Sequence, residues 1–238
     1  MHLSLFSSDP RTAIIILLLS VPVILLSLTV HECAHGYVAY LCGDSTAKAF
    51  GRLSLSPAKH LDLMGTLCML IAGFGWAKPV PVNMRYLRKH KRDMVLVSLA
   101  GPASNLLLAF LAAAFAGLTN YISIVNRFYL SGNTVVTLFN YAHTLFCLMV
   151  IYNIGLALFN LIPLPPLDGS KILAGLLPNH LSARYLQIQR YTPQIFLAIM
   201  LLSFTSIGDV LFLPLLWGRT ELAGAFLNLF EWIFESIG

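Results

Sequence analysis

The stretch HECAH, at residues 31–35, carries the side chains of a zinc hydrolase at helical spacing. On an α-helix His31 and His35 share a face, so both imidazoles can bind one metal ion. Glu32 lies about 100° further round the helix and can reach a water molecule on that ion. Zinc lowers the pKa of such a water to about 7 and polarises a carbonyl group, while Glu32 accepts the proton. The motif therefore predicts metal-dependent peptide hydrolysis.

The position of this motif strengthens the prediction, because it ends a long apolar run that covers residues 12–30. Ionisable side chains are rare within membrane spans and are functional by default. The alternative is that His31, Glu32 and His35 form a hydrogen-bonded cluster, or lie among lipid headgroups, without a metal. The apolar context favours the metal site.

The composition indicates an integral membrane protein. Of the 238 residues, 58% are hydrophobic and 11% are charged, whereas a soluble domain carries about 25% charged residues. The net charge of +5 comes without interleaved aromatic and basic residues, so it predicts membrane orientation and no nucleic-acid partner. We expect one membrane metalloprotease domain over residues 1–238, with a catalytic core at about 12–178 and C-terminal helices at about 191–238.

The apolar runs predict an all-α polytopic membrane protein with about four to six transmembrane helices. A spanning helix needs about 20 apolar residues, and the candidates are 12–40, 94–118, 140–162 and 194–217. The shorter run 63–77 predicts a re-entrant or tilted segment. The tail 222–237 carries two glutamates and predicts an interfacial helix or a short span.

Two stretches between the first two core helices predict a small membrane-associated β-sheet or hairpin. Apolar and polar residues partly alternate over 48–56, as in a half-buried strand. Pro79 and Pro81, within 78–84, suit an edge strand. Such an edge could pair with an extended peptide, but an ordinary loop fits the same pattern.

The distribution of basic residues predicts the orientation. Nine of the 15 lie between residues 41 and 93, and three more follow the third span, before residue 194. The positive-inside rule places both regions in the cytoplasm. The C-terminal end of the first helix and the segment after residue 162 then lie at the same depth, so we expect a multi-pass protein of the plasma or inner membrane with its active site toward the cytoplasm.

A catalytic zinc site needs a third protein ligand, and Asp168 is the best candidate. It follows three prolines, at positions 163, 165 and 166, that cannot continue a helix. Asp168 would then end an extended segment at the depth of HECAH. Asp44 and Asp62 are competing ligands, and Asp168 could instead be the N-cap of a helix over 169–177.

The combination of HECAH with NLIPLPPLDG, at residues 160–169, resembles the site-2 protease family of intramembrane zinc metalloproteases. That family is marked by HExxH on one transmembrane helix and NxxPxPxLDG after a later one. Its GPxxN sequence is matched by GPASN at 101–105, and residues 35–57 and 73–83 are similar to the minimal bacterial subgroup, which lacks PDZ and CBS domains. The resemblance implies that His31, His35 and Asp168 bind Zn²⁺ and that Glu32 is the catalytic base.

The resemblance also implies a substrate and the residues that bind it. A transmembrane protein or peptide, embedded in membrane lipid, would be cut after local unwinding. Its freed backbone groups need partners out of lipid, and by family position Asn105 and Asn160 would supply them. An interhelical hydrogen bond is the alternative role for Asn105, since Gly101 and Ala103 allow close helix packing.

Two other functions remain open from the sequence. A membrane metallopeptidase that trims lipidated C-termini would need a downstream glutamate ligand, which Glu221, Glu231 and Glu235 do not convincingly provide. A metal transporter or a catalytically inactive scaffold would not need Glu32, and a transporter would show more intramembrane acids and histidines along a path.

Overall fold

Four long helices form the body of the protein. The structure, a computed structural model, describes residues 9–62, 65, 78–129 and 133–237. Within this part of the chain, α1 (Pro10–Leu41), α3 (His90–Tyr129), α4 (Asn133–Asn160) and α8 (Ser206–Ile237) are long and apolar enough to cross a membrane. The predicted all-α polytopic architecture is confirmed, with four candidate spans.

Shorter elements connect the long helices. They are α2 (Thr46–Ala49), α5 (Asp168–Leu176), α6 (Asn179–Leu186) and α7 (Thr192–Leu202), with 3₁₀ turns at Pro57–Lys59, Met84–Tyr86 and Gln187–Tyr191. Helix α1 packs against α3 and α4, and α8 packs against the same pair. Helix α5 docks on α3, where the Lys91 ammonium group donates a hydrogen bond to the Leu177 carbonyl at 2.6 Å. Helices α1 and α4 also contact each other, so α1, α3 and α4 pack together.

Small side chains allow α3 to pack closely against its neighbours. Ala109, Ala113 and Ala116 are fully buried on α3, and Val150 and Ile154 are fully buried on α4. In a membrane, helices associate through such close packing and through interhelical hydrogen bonds, because lipid is as apolar as the helices themselves. The packed core therefore lies along α3, the central helix of the bundle.

The C-terminal part differs from the prediction of a span over 194–217. Helix α7 ends at Leu202 and α8 begins at Ser206. Ser203 and Thr205 donate side-chain hydrogen bonds to carbonyls of the preceding turn, and the Thr205 hydroxyl also accepts one from the Gly208 N–H. Serine and threonine compete with the helical backbone in this way, so the apolar run is divided and the predicted tail 222–237 continues a long helix.

The predicted β-sheet or hairpin is wrong for the described residues of 48–56 and 78–84, which contain no strand. Prolines at 79 and 81 have no N–H to donate. The donors that remain are used elsewhere: the Val80 N–H donates to Glu32 Oε2 at 2.8 Å, and the Asn83 N–H donates to Asp44 Oδ2 at 2.6 Å. Hydrogen bonds to two side-chain carboxylates thus take the place of those that a neighbouring strand would make. The predicted re-entrant segment 63–77 lies, apart from Gly65, outside the described residues.

Candidate metal centre

The two histidines of HECAH lie one helical turn apart near the C-terminal end of α1. Both are buried, and their Nε2 atoms are 3.0 Å apart. The ring planes are nearly perpendicular, at 89°, with centroids 4.6 Å apart. This geometry follows from the four-residue spacing, which stacks the two side chains on one face of the helix. The pair therefore presents two nitrogen atoms to one point.

Each imidazole is held by its other ring nitrogen. His31 Nδ1 lies 2.6 Å from Asn105 Oδ1, and His35 Nδ1 lies 2.7 Å from the carbonyl oxygen of Val97. A carbonyl oxygen only accepts, so both histidines donate from Nδ1. In a neutral imidazole the lone pair is then on Nε2. Metal-binding histidines are oriented by such outer hydrogen bonds.

Asp168 completes a group of three ligand atoms. Its Oδ2 lies 3.2 Å from His31 Nε2 and 3.0 Å from His35 Nε2. The aspartate is buried, and Oδ2 makes no hydrogen bond of acceptable geometry. Among the residues that the structure describes, this is the one group of histidine, cysteine or acidic side chains with three ligand atoms within 4.8 Å of one another. Neither Asp44 nor Asp62 joins it.

The three atoms fit a zinc ion. Ligand atoms that lie about 2.0–2.2 Å from a tetrahedral ion are roughly 3.3–3.6 Å apart, a little more than the 3.0–3.2 Å separations in this group. Two imidazole lone pairs and a buried carboxylate oxygen repel one another unless a cation lies between them. Two nitrogens and one oxygen also suit a catalytic zinc, which keeps a fourth position open.

The backbone that follows α4 carries Asp168 to the histidines. The chain leaves the helix at Asn160 and turns through the proline segment, and Asp168 is the first residue of α5. Residue 167 occupies the N-cap position and no side chain caps the helix, so the structure does not give Asp168 the alternative capping role. A Cβ atom at Gly169 would lie 2.2 Å from the carbonyl oxygen of Leu161, so only glycine permits this approach.

A second glycine brings α3 against the imidazoles. A Cβ atom at Gly101 would lie 2.5 Å from both His31 Cε1 and His35 Nε2. Such contacts are far shorter than any van der Waals separation. The GPASN stretch therefore leaves room beside the ligand atoms, at the place where a larger residue would displace them.

Glu32 is partly buried on α1, beside the histidines in sequence. Its Oε2 accepts the hydrogen bond from the Val80 N–H, within the extended segment 78–83. The Arg52 guanidinium holds the same segment through the carbonyl of Lys78 at 2.6 Å. The carboxylate that the sequence singled out as a base is thus oriented by a backbone donor.

The two asparagines predicted to bind substrate lie in different surroundings. Asn105 is fully buried and bonded to His31, Asn153 and the backbone of Ser27. Asn160, at the end of α4, is partly exposed and donates to the Leu156 carbonyl at 2.9 Å. Substrate contact stays a prediction for both, and the surroundings of Asn160 leave more space for it.

The competing acids have structural roles. Asp44 is fully buried and accepts hydrogen bonds from the Thr46 N–H, at the start of α2, and from the Asn83 N–H. Asp62 accepts a hydrogen bond from the Gly65 N–H at 2.9 Å.

Sequence reasoning overlooked one residue near the centre, Asn153. It is fully buried in α4 and bonded to Asn105. A signal was available, because a polar amide in the middle of a membrane span is itself unusual.

Comparison with known proteins identifies the family of the chain. Residues 19–203 match the model of Peptidase family M50. The chain is 41% identical over 216 residues to "Putative zinc metalloprotease YwhC" of Bacillus subtilis (strain 168), an alignment covering 90% of this chain and 91% of that protein.

A more distant relative is "Putative zinc metalloprotease Rip2" of Mycolicibacterium smegmatis, 31% identical over 157 residues, or 61% of this chain and 52% of that protein. No solved structure matches the chain significantly. The family match covers most of the chain, and the Bacillus subtilis relative aligns with nearly all of it. This chain therefore belongs to Peptidase family M50, the site-2 proteases.

Proposed function

We propose that this protein is a zinc-dependent intramembrane endopeptidase, which hydrolyses peptide bonds in or near transmembrane segments of membrane proteins, near the cytoplasmic face. One observation carries the proposal: His31, His35 and Asp168 direct three ligand atoms at one point, next to Glu32, in a bundle of membrane-length helices. A soluble peptidase would not need four apolar spans around its metal.

Different residues of this chain have different roles in the reaction. When bound, zinc supplies a Lewis acid that activates water and polarises the carbonyl to be attacked. His31, His35 and Asp168 hold the ion, and Asn105 and the Val97 carbonyl keep the imidazoles in place. Glu32 accepts the proton from water and passes it to the leaving amine, and the Val80 N–H fixes the orientation of its carboxylate.

A membrane-spanning substrate must unwind before it can be cut, because the carbonyls of an intact helix are bonded within it. Its released N–H and C=O groups then need polar partners inside the protein. Asn160 is a candidate partner, at the end of α4 and ahead of the proline segment that carries Asp168. Asn105 would have to give up its present hydrogen bonds to serve in the same way.

The substitution Glu32→Gln tests the function. The variant should bind zinc as the wild type does and lose cleavage of a membrane substrate reconstituted with it in liposomes, because the amide cannot accept the proton. Glu221→Gln is the matched control: it makes the same chemical change on an exposed glutamate of α8. Comparing membrane proteomes of cells carrying each variant would identify substrates that accumulate uncut.

Each contrary result has a defined meaning. If purified wild-type protein holds no stoichiometric zinc, the metal centre is wrong. If cleavage survives Glu32→Gln, the assigned base is wrong. If zinc binds but nothing is cut by the wild type, the inactive scaffold is the better function. A metal transporter is not favoured, since the described residues form one metal-binding group and no succession of them.

The cytoplasmic position of the site rests on charge, since nine basic residues lie between positions 41 and 93. Phe50 is exposed in this region and offers a labelling position. With the native cysteines replaced, a cysteine introduced at Phe50 should react with a membrane-impermeant thiol reagent in inside-out vesicles. Reaction only in intact cells or right-side-out vesicles would reverse the orientation.

A further inference from the structure

A buried polar network joins α1, α3 and α4 behind the metal centre. Asn105 on α3 and Asn153 on α4 are fully buried, and Ser27 on α1 is almost so. The Asn105 Nδ2 group donates to Asn153 Oδ1 at 2.7 Å, and the Asn153 Nδ2 group donates to Ser27 Oγ at 2.8 Å. Burying polar side chains among apolar spans costs free energy unless they are fully hydrogen-bonded. We therefore expect this network to have a role beyond packing.

The hydrogen bonds fix which way the Asn153 amide faces. The Ser27 hydroxyl donates its proton to the Val23 carbonyl at 2.7 Å, so its oxygen must accept the next bond. Asn153 supplies that bond from Nδ2, which also donates to the Met149 carbonyl at 2.8 Å. The Asn153 oxygen is thereby turned toward α3.

This orientation in turn fixes the Asn105 amide. The oxygen of Asn153 accepts, so the group that meets it must be the NH₂ of Asn105, which also donates to the Ser27 carbonyl at 3.2 Å. The Asn105 oxygen is left facing His31 Nδ1 at 2.6 Å. An acceptor at that place requires the proton of His31 on Nδ1 and leaves the Nε2 lone pair facing Asp168.

We propose that Asn153 is a positioning residue for the metal centre: together with the Ser27 carbonyl it sets the direction of the Asn105 amide and, through it, the tautomer in which His31 can bind a metal. The inference rests on the zinc function proposed above. A reversed Asn105 amide would place NH₂ against Nδ1 and move the imidazole proton to Nε2. That proton would occupy the lone pair that the metal needs.

A second hydrogen bond between α3 and α4 provides a control that distinguishes this positioning role from ordinary helix packing. The Ser123 hydroxyl donates to Asn140 Oδ1 at 2.7 Å. Asn140 lies 13 residues before Asn153 on α4, about 20 Å away along a helix. It ties α3 to α4 without contact with a metal ligand, so Asn140→Ala is a matched control for Asn153→Ala.

The experiment compares zinc affinities of the full-length variants in detergent, by competition with a chelator. Asn153→Ala should bind zinc about 10–100-fold more weakly than the wild type, as is typical when an outer hydrogen bond to a metal-binding histidine is lost. Asn140→Ala should bind like the wild type. With Co²⁺ in place of zinc, the visible absorption bands should change in Asn153→Ala and not in Asn140→Ala.

The double variant Asn153→Ala with Asn105→Asp distinguishes the positioning role from a role in packing. A carboxylate accepts from either oxygen, so aspartate at position 105 needs no neighbour to orient it. Asn105→Asp should restore most of the zinc affinity lost in Asn153→Ala. In the wild-type background the same Asn105→Asp change should lower affinity, because the carboxylate then faces Asn153 Oδ1, which the Asn153→Ala background lacks.

The outcomes are distinct. If wild type binds zinc and Asn153→Ala binds it equally well, the positioning role is overturned while the proposed function stands. If Asn153→Ala loses zinc or fails to fold and Asn105→Asp recovers nothing, Asn153 is only a packing residue. If the wild type itself binds no zinc, the proposed function fails and this inference fails with it.

Discussion

The two halves of the candidate metal centre, the histidine pair and Asp168, are built differently. The imidazole half lies on the continuous helix α1, and both histidines make buried hydrogen bonds through their second nitrogens. The carboxylate half lies at the end of an irregular segment. There the second oxygen of Asp168 lies 3.4 Å from the Lys171 ammonium group, and the lysine side chain is 46% exposed.

This difference shows two ways of fixing a candidate metal ligand in a helical bundle. The histidines are fixed by a side-chain and a backbone partner on a neighbouring helix, so displacing either ring breaks its buried hydrogen bond. Asp168 is fixed chiefly by the path of its own backbone, past Gly169 and into α5. The imidazole half should therefore be rigid and the carboxylate half more adjustable.

The largest effect is expected from Gly101→Ala, which acts on the imidazole half. The added methyl group would lie about 2.5 Å from both rings. The rings cannot move away without breaking their hydrogen bonds to the Asn105 side chain and the Val97 carbonyl. We expect zinc affinity to fall by more than about 100-fold, beyond the usual loss of one outer partner. Metal analysis after chelator competition measures it.

Gly224→Ala on α8 is the control for that change, because a Cβ atom there meets nothing within 4 Å. In a helix this substitution should raise stability by up to about 1 kcal/mol and leave zinc binding intact. Normal zinc affinity in Gly101→Ala would show that the imidazole half is not rigid.

An intermediate effect is expected from Gly169→Ala, which acts on the carboxylate half. The new methyl group would collide with the carbonyl oxygens of Leu161 and Ile162, so the loop must shift and carry Asp168 with it. We expect a loss of about 10–100-fold in zinc affinity, together with a lower melting temperature. A loss as complete as that in Gly101→Ala would remove the contrast between the halves.

The smallest effect is expected from Lys171→Met, which removes the one side-chain partner of Asp168 Oδ1 named above. Exposed ion pairs contribute about 0–1 kcal/mol, so zinc affinity should change by less than about fivefold. The change should shrink further as ionic strength rises. A loss of tenfold or more, measured by the same competition assay, would mean that the lysine fixes the carboxylate after all.

The sequence predicted most of the helical framework, because spans reveal themselves by length and apolarity alone. The expected spans 12–40, 94–118 and 140–162 fall on α1, α3 and α4. The fourth was misplaced, since hydropathy takes no account of the Ser203 and Thr205 hydroxyls that interrupt the helix.

The parts that escaped prediction depend on contacts between distant residues. The segment 78–83 is not a strand because Glu32 and Asp44 take its donors. No local pattern around residue 80 contains that information. Asn153 is a different case, because an amide within an apolar span is a local signal that was overlooked; only its bonds to Asn105 on α3 and Ser27 on α1 lie beyond any local pattern. The metal-binding roles of His31, His35 and Asp168 stay predictions until an ion is measured.

The order of the ligands along the chain has a consequence for biosynthesis. Both histidines are on α1, and Asp168 follows α4, the third of the long helices. Chains are made and inserted from the N-terminus, so a growing chain with only its first helix in the bilayer carries half a site. Under the proposed function, proteolytic activity arises only after the third long helix and Asp168 have been made, so a partly synthesised chain cannot cut.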